Sequence, residues 1–201
     1  MQGALCEVTP AGVRSGSRAI TAGALERLLP AERMAIDGAI ARRRHEFASG
    51  RALLRELMGV DEPITVGPAR EPVAPAGWRC TLAHDAEVVV AAATDDPRWV
   101  ALGIDVELVG SVRPDEAPVV RRADEIDLDP TLVFVVKEAV YKAWSTCGGW
   151  MVDHHEVRIT ATGGRFDAMV VGRHRIGGRY ARADDRWVAL AAVDASGTVR
   201  L

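Results

Sequence analysis

The stretch WRCTLAHDAEVVVAAATDDPRWVALGIDVE, residues 78–107, decides how this chain folds. It holds three short extended runs, at 78–84, 87–93 and 99–107, with a turn at Asp85 between the first two. Strands that follow one another through short turns pair antiparallel, whereas a doubly wound parallel sheet needs a crossover, usually a helix, between successive strands. Upstream, residues 30–58 read as helical, with Pro30 at an opening position and Gly59 as a stop. Phe47, Leu54, Leu57 and Met58 share a stripe on that helix. Residues 61–77, carrying Pro63, Pro68, Pro72 and Pro75, form a loop. Downstream, a polar loop at 110–118 precedes a second helix at 131–144. Alternation then returns at 157–159, 166–171, 179–183 and 187–193, broken by Gly163-Gly164, Gly177-Gly178 and Asp184-Asp185. The order helix, strands, helix, strands predicts an α+β fold of two lobes of similar make-up, 1–100 and 101–201.

At 201 residues the chain is long enough to bury roughly two thirds of its unfolded surface. A hydrophobic share of 48% with 26% charged residues is that of an ordinary globular protein. A net charge of −3 argues against the generally basic surface of a nucleic-acid binder, so any anion site must be local. The N-terminus lacks the basic start and apolar run of a signal peptide, and nowhere do about 18 apolar residues run together. The expectation is a cytoplasmic protein with neither membrane nor nucleic acid as partner. Cys6, Cys80 and Cys147 are too scattered for a zinc site or a disulfide framework and read as reduced packing residues. His154-His155 beside Asp153 reads as a turn rather than a metal site.

Of 25 basic residues other than histidine, only Lys137 and Lys142 are lysines, and both lie in Lys137-Glu138-Ala139-Val140-Tyr141-Lys142. One reading is an exposed helix turn with a Glu138–Lys142 pair at i,i+4. The other is that a compact point charge is needed here, which a planar guanidinium does not supply. Asp105 and Glu107, two apart on a strand, point to one face, while Ile104 and Val106 point to the other. Adjacent carboxylates repel unless a cation sits between them or one takes a proton, so a hard cation such as Mg²⁺ is a natural partner. Glu138 would add a third carboxylate. In the first helix Arg43 and Arg51 are two turns apart on one face, suited to a phosphate or simply solvated.

These motifs in combination resemble one family. Gly103-Ile-Asp-Val-Glu107, followed some thirty residues later by Phe134-Val-Val-Lys-Glu-Ala-Val-Tyr-Lys-Ala-Trp144, looks like the signature pair of the 4'-phosphopantetheinyl transferases of the larger, pseudo-dimeric type. His45-Glu46-Phe47-Ala48-Ser49-Gly50-Arg51, preceded by Arg43, resembles the R-x-x-E-F-x-x-G-R element of the enterobactin-synthase-component branch. Arg70-Glu71-Pro72 through Gly77, then Thr81-Leu-Ala-His84, resembles its E-P-x-W-P-x-G and G-S-x-[ST]-H elements. The resemblance spans roughly residues 30–160. Ala74, Cys80, Thr81, Ala83, Phe134 and Val136 depart from the usual residues.

The resemblance implies the pseudo-two-fold fold of that family, with the active site between the lobes. It implies transfer of 4'-phosphopantetheine from coenzyme A, as substrate, to a serine of an apo acyl or peptidyl carrier protein. Asp105, Glu107 and Glu138 would hold Mg²⁺, or Mn²⁺ in its place. Glu138 would also act as general base, Lys142 would offset charge on the leaving bisphosphate, and Lys137 would assist or shape the pocket. Arg43, Arg51, Arg70, Thr81 and His84 would line the coenzyme A site. Arg113, Arg121 and Arg122 are candidate contacts for the acidic carrier, and a monomer is expected. Two rival readings are a non-catalytic relative that binds coenzyme A or carrier, and a metal-dependent nuclease. The nuclease reading lacks its lysine, because Val109 stands two residues after the second acid.

Overall fold

The computed structural model describes residues 1–195. Its helices are α1 (Gln2–Val8), α2 (Pro30–Met34), α3 (Ala41–Met58), α4 (Ala117–Val120) and α5 (Pro130–Thr146). Its strands are β1 (Arg14–Ala19), β2 (Thr65–Val66), β3 (Pro72–Val73), β4 (Arg79–His84), β5 (Val88–Thr94), β6 (Trp99–Leu108), β7 (Val157–Thr162), β8 (Arg165–Val170), β9 (His174–Ala183) and β10 (Arg186–Asp194). The chain is α+β, with a three-stranded sheet ordered β1-β5-β4, a five-stranded sheet ordered β6-β10-β9-β8-β7, and a β2-β3 pair. Every strand pairing is antiparallel. Among the described residues no helix is long and apolar enough to cross a membrane.

The run Val88-Val-Val-Ala-Ala-Ala-Thr94 is apolar without alternation because β5 is covered on both faces. Val89, Ala91 and Ala93 pack with Leu53, Leu54 and Met58 of α3. Val90 and Ala92 turn the other way, into a cluster with Leu102, Ile104 and Val106 of β6 and Val188, Leu190 and Ala192 of β10. The opposite face of β10 puts Ala189 and Ala191 against Val136, Ala139, Val140 and Ala143 of α5. The layers therefore run α3, small sheet, large sheet, α5. Arg186, at the start of β10, ties the two sheets at one end: its Nε reaches Asp85 Oδ2 at 2.6 Å and its Nη2 reaches Glu87 Oε2 at 2.7 Å.

Local signals explain the two long helices. Asp129 caps α5 by accepting from Leu132 N at 3.0 Å, and Pro130 occupies the first turn, where a missing N–H costs nothing. Gly59, with φ of 70°, closes α3. Several expectations need correction. The helix expected over 30–58 is two helices, because the chain leaves helical geometry between Met34 and Ala41, passing Gly38 at φ 75°. Gly177-Gly178 does not interrupt a strand, since β9 runs through both. Cys6 and Cys147 are exposed rather than packed, although all three cysteines are free.

Candidate functional site

A cavity of about 700 Å³ opens between α3 and α5, floored by β4. On α5, Glu138, Tyr141, Lys142 and Ser145 line it, at spacings of three, four and seven that place them on one helical face. Arg43, Glu46, Phe47 and Arg51 of α3 line the other side, with Arg70 and Glu71 of the proline-rich loop and Thr81 and His84 of β4. Residues far apart in sequence thus meet around one space. Tyr141, Ser145 and Glu46 are not among the expected site residues; the helical repeat from Glu138 and the E-F element are the signals in the sequence that point to them.

Lys142 does not pair with Glu138. Its Nζ donates to Asp105 Oδ1 at 2.6 Å and to Ile104 O at 3.0 Å, so the i,i+4 pairing expected for an exposed helix turn is not the contact made. Asp105 is buried, and its second oxygen, Oδ2, has no hydrogen-bond partner. Burial drives the Asp105 carboxyl up to about 6; Glu138 adds to the rise and Lys142 opposes it. Glu107 is pushed up to about 7, first by burial and then by Asp105 and Asp85, against a hydrogen bond from Ser111. The result is a crowded acidic site that holds protons into the neutral range. An orphaned, buried carboxylate oxygen is the kind of group that a hard divalent cation takes up. Among the described residues, no three His, Cys, Asp or Glu side chains converge closely enough to hold a metal as they stand. Lys142 supplies the positive charge beside Asp105 instead.

Lys137 stands elsewhere. One residue before Glu138 is about 100° around the helix, so its side chain leaves the cavity face and enters the interior. It is 1% exposed, and its Nζ donates to Glu125 Oε2 at 2.7 Å, Val120 O at 2.9 Å and His154 O at 2.9 Å. All three donors are used, which corrects the expectation that Lys137 assists at the phosphates. Burial lowers its affinity for a proton, and Glu125 offsets only part of that fall.

On the α3 side, Arg51 is buried. Its Nε donates to Ile64 O at 2.8 Å and its Nη2 to Thr65 O at 3.2 Å, while its guanidinium lies 4.3 Å over the Phe47 ring. Desolvation brings it down to about 10. Arg51 therefore braces the loop and offers the cavity only part of its fork. Arg43 Nη1 and His84 Nε2 lie 3.4 Å apart, with Glu46 Oε2 at 3.7 and 3.6 Å from them. Arg70 is exposed on the loop at φ 68°. Thr81 is buried, and its Oγ1 accepts from Ile104 N at 3.3 Å. Cys80 lies beside Arg51, and burial pushes its thiol up to about 12, which removes it as a nucleophile.

The three arginines expected at a partner surface are engaged within the chain. Arg113 pairs with Asp115 and Glu116, Arg121 donates to Ile126 O and Leu128 O, and Arg122 meets Asp124 and His155 O. His154, which had read as part of a turn, brings its Nε2 to 3.2 Å from Glu138 Oε1.

Residues 31–94 match the model of the 4'-phosphopantetheinyl transferase N-terminal domain, about a third of the chain. The match covers the Arg43, Arg51 and His84 wall of the cavity and ends before Asp105. No curated protein matches the chain.

Proposed function

We propose that the chain, whose residues 31–94 match the 4'-phosphopantetheinyl transferase N-terminal domain, transfers 4'-phosphopantetheine from coenzyme A to a serine of an apo acyl or peptidyl carrier protein, releasing adenosine 3',5'-bisphosphate. One observation carries this reading: a basic wall of Arg43, Arg51, Arg70 and His84 faces Glu138 and Lys142, beside buried Asp105, across one cavity. Guanidinium forks suit a phosphate dianion, and an acidic group opposite suits the activation of a hydroxyl.

In this reaction the serine oxygen bonds to the β-phosphorus and the bond from that phosphorus to the bridging oxygen breaks. The serine proton passes to Glu138. Lys142 meets the charge that develops on the departing bisphosphate. Arg43, His84 and the free part of Arg51 hold the 3'-phosphate, displacing the internal Glu46 contacts, and Arg70 closes the loop side. Asp105, Glu107 and Glu138 would hold Mg²⁺, or Mn²⁺ in its place, which when bound neutralises diphosphate charge. On this reading residues 1–100 and 101–201 are two lobes related by a pseudo-two-fold, each with an antiparallel sheet and one long helix, as in the larger, pseudo-dimeric members. The enzyme acts as a cytoplasmic monomer on a carrier docked at the cavity mouth.

The test is to incubate the protein with Mg²⁺, coenzyme A and apo carrier domains of fatty-acid, polyketide and peptide type, and to follow carrier mass. A phosphopantetheine adduct on at least one is expected. None on any would sink the reading. Glu138→Gln should lose transfer while keeping its unfolding midpoint; wild-type rates would remove Glu138 from its role.

A further inference from the structure

Glu138 is held as well as placed. Its Oε1 lies 3.2 Å from His154 Nε2, a contact that runs from α5 to the short 3-10 turn His154–Glu156. With Glu138 ionised, as its reading as a general base requires, the carboxylate accepts and His154 Nε2 is the donor. The turn itself is pinned from several sides. Asp153 Oδ1 accepts from His155 N at 2.8 Å, and Glu156 Oε2 accepts from Asp153 N at 2.9 Å. Lys137 Nζ donates to the carbonyl of His154 at 2.9 Å, and the imidazole packs 5.6 Å from the Phe134 ring. Lys137 is in turn anchored by Glu125, whose Oε1 accepts from Ile159 N at 2.8 Å, just beyond the turn.

Two consecutive residues of α5 thus act on one turn from opposite ends. Lys137 fixes its backbone, and its side chain at His154 returns to fix Glu138. We infer that His154 is a positioning residue that orients the Glu138 carboxylate, with the buried Lys137–Glu125 pair setting the turn that delivers it. This rests on the reading of Glu138 as the group that takes the carrier serine's proton. A carboxylate held on one oxygen presents the other in a defined direction, and misplacement of a reacting group by an ångström costs up to about 100-fold in rate.

Two substitutions separate the hydrogen bond from the packing. His154→Phe keeps a ring beside Phe134 and removes the donor, and His154→Gln returns a donor without the ring. In the carrier-mass assay, His154→Phe should lower kcat by about tenfold or more while leaving KM for coenzyme A within about twofold. His154→Gln should recover most of the loss. A second readout needs neither activity nor metal: in protein labelled with ¹⁵N-histidine, the His154 Nε2 resonance should move on Glu138→Gln. An unmoved resonance overturns the inference. So does a kcat loss that Gln fails to recover, or a rise in KM that accounts for the whole loss. Absence of transfer by the wild type, with the resonance still moving, supports the pairing and sinks the transferase reading alone.

Discussion

Lys137 and Lys142 are the only two lysines of the chain and have opposite fates. Lys142 stands in the cavity wall on Asp105, while Lys137 is sealed inside on Glu125. That Asp105 and Glu107 share a strand face, and Glu138 and Lys142 a helix face, was legible from their spacing, but the contact of Lys142 with Asp105 was not, because spacing within an element does not say which other element it meets. The burial of Lys137 was not legible. Its partner Glu125 is twelve residues away in a polar segment that carries no periodic signal. Removing one member of a buried pair leaves an uncompensated charge, so Lys137→Met should cost about 3–5 kcal/mol in urea unfolding, and adding Glu125→Leu should return much of it. The acids set a pH dependence. Asp105 and Glu107 hold protons in the folded state up to about 6 and 7, so the native state binds more protons than the unfolded chain above about pH 4. Their contribution to stability is therefore present at low pH and is lost as pH rises through that window. Without divalent cations, the advantage of Asp105→Asn over wild type in thermal midpoint should grow from pH 5 to 7.5. A constant difference would contradict the shift.

At the scale of elements, the approach of β6 to α5 depends on one missing side chain. A Cβ at Gly103 would sit 1.9 Å from Ala139 O and 2.7 Å from Ala143 N, both of them helix backbone that cannot swing aside. Gly103→Ala should therefore push the helix off the sheet and destabilise by about 2–4 kcal/mol, measured by chemical denaturation, with transfer lost in parallel. The glycine of the G-I-D-V-E run thus has a packing reason, which the motif alone did not reveal. The same physics explains why Gly177-Gly178 was misread as a break. A Cβ at Gly178 would meet Leu190 O and the Phe166 ring, both at 2.2 Å, so this glycine serves close packing inside a strand. β1 escaped notice for another reason. Arg14-Ser-Gly-Ser-Arg-Ala19 lacks apolar alternation because it is an edge strand with little to bury. β4, β5, β6, β10 and α5, by contrast, show their burial in composition and lie within a residue or two of their expected ends, whereas β9, central in the large sheet, begins at His174, five residues before the expected start.

For the whole molecule, the interior between the sheets belongs to both halves, since Val90 and Ala92 pack with Leu102, Ile104, Val188 and Leu190. Unfolding should accordingly be a single transition with equal calorimetric and van't Hoff enthalpies, and fragments 1–100 and 101–201 should each lack dispersed amide spectra when made alone. Two resolved transitions would show that each half is stable by itself. The edge of the large sheet carries a further consequence. β6 is the outermost strand of its sheet, so the N–H and C=O of Ile104 are among the groups that a neighbouring strand would ordinarily occupy. Here Thr81 Oγ1 takes the N–H and Lys142 Nζ takes the C=O. Side chains on the cavity wall thereby fill part of an absent strand's place, and at Ile104 the edge keeps no free N–H to offer the strand of a second chain.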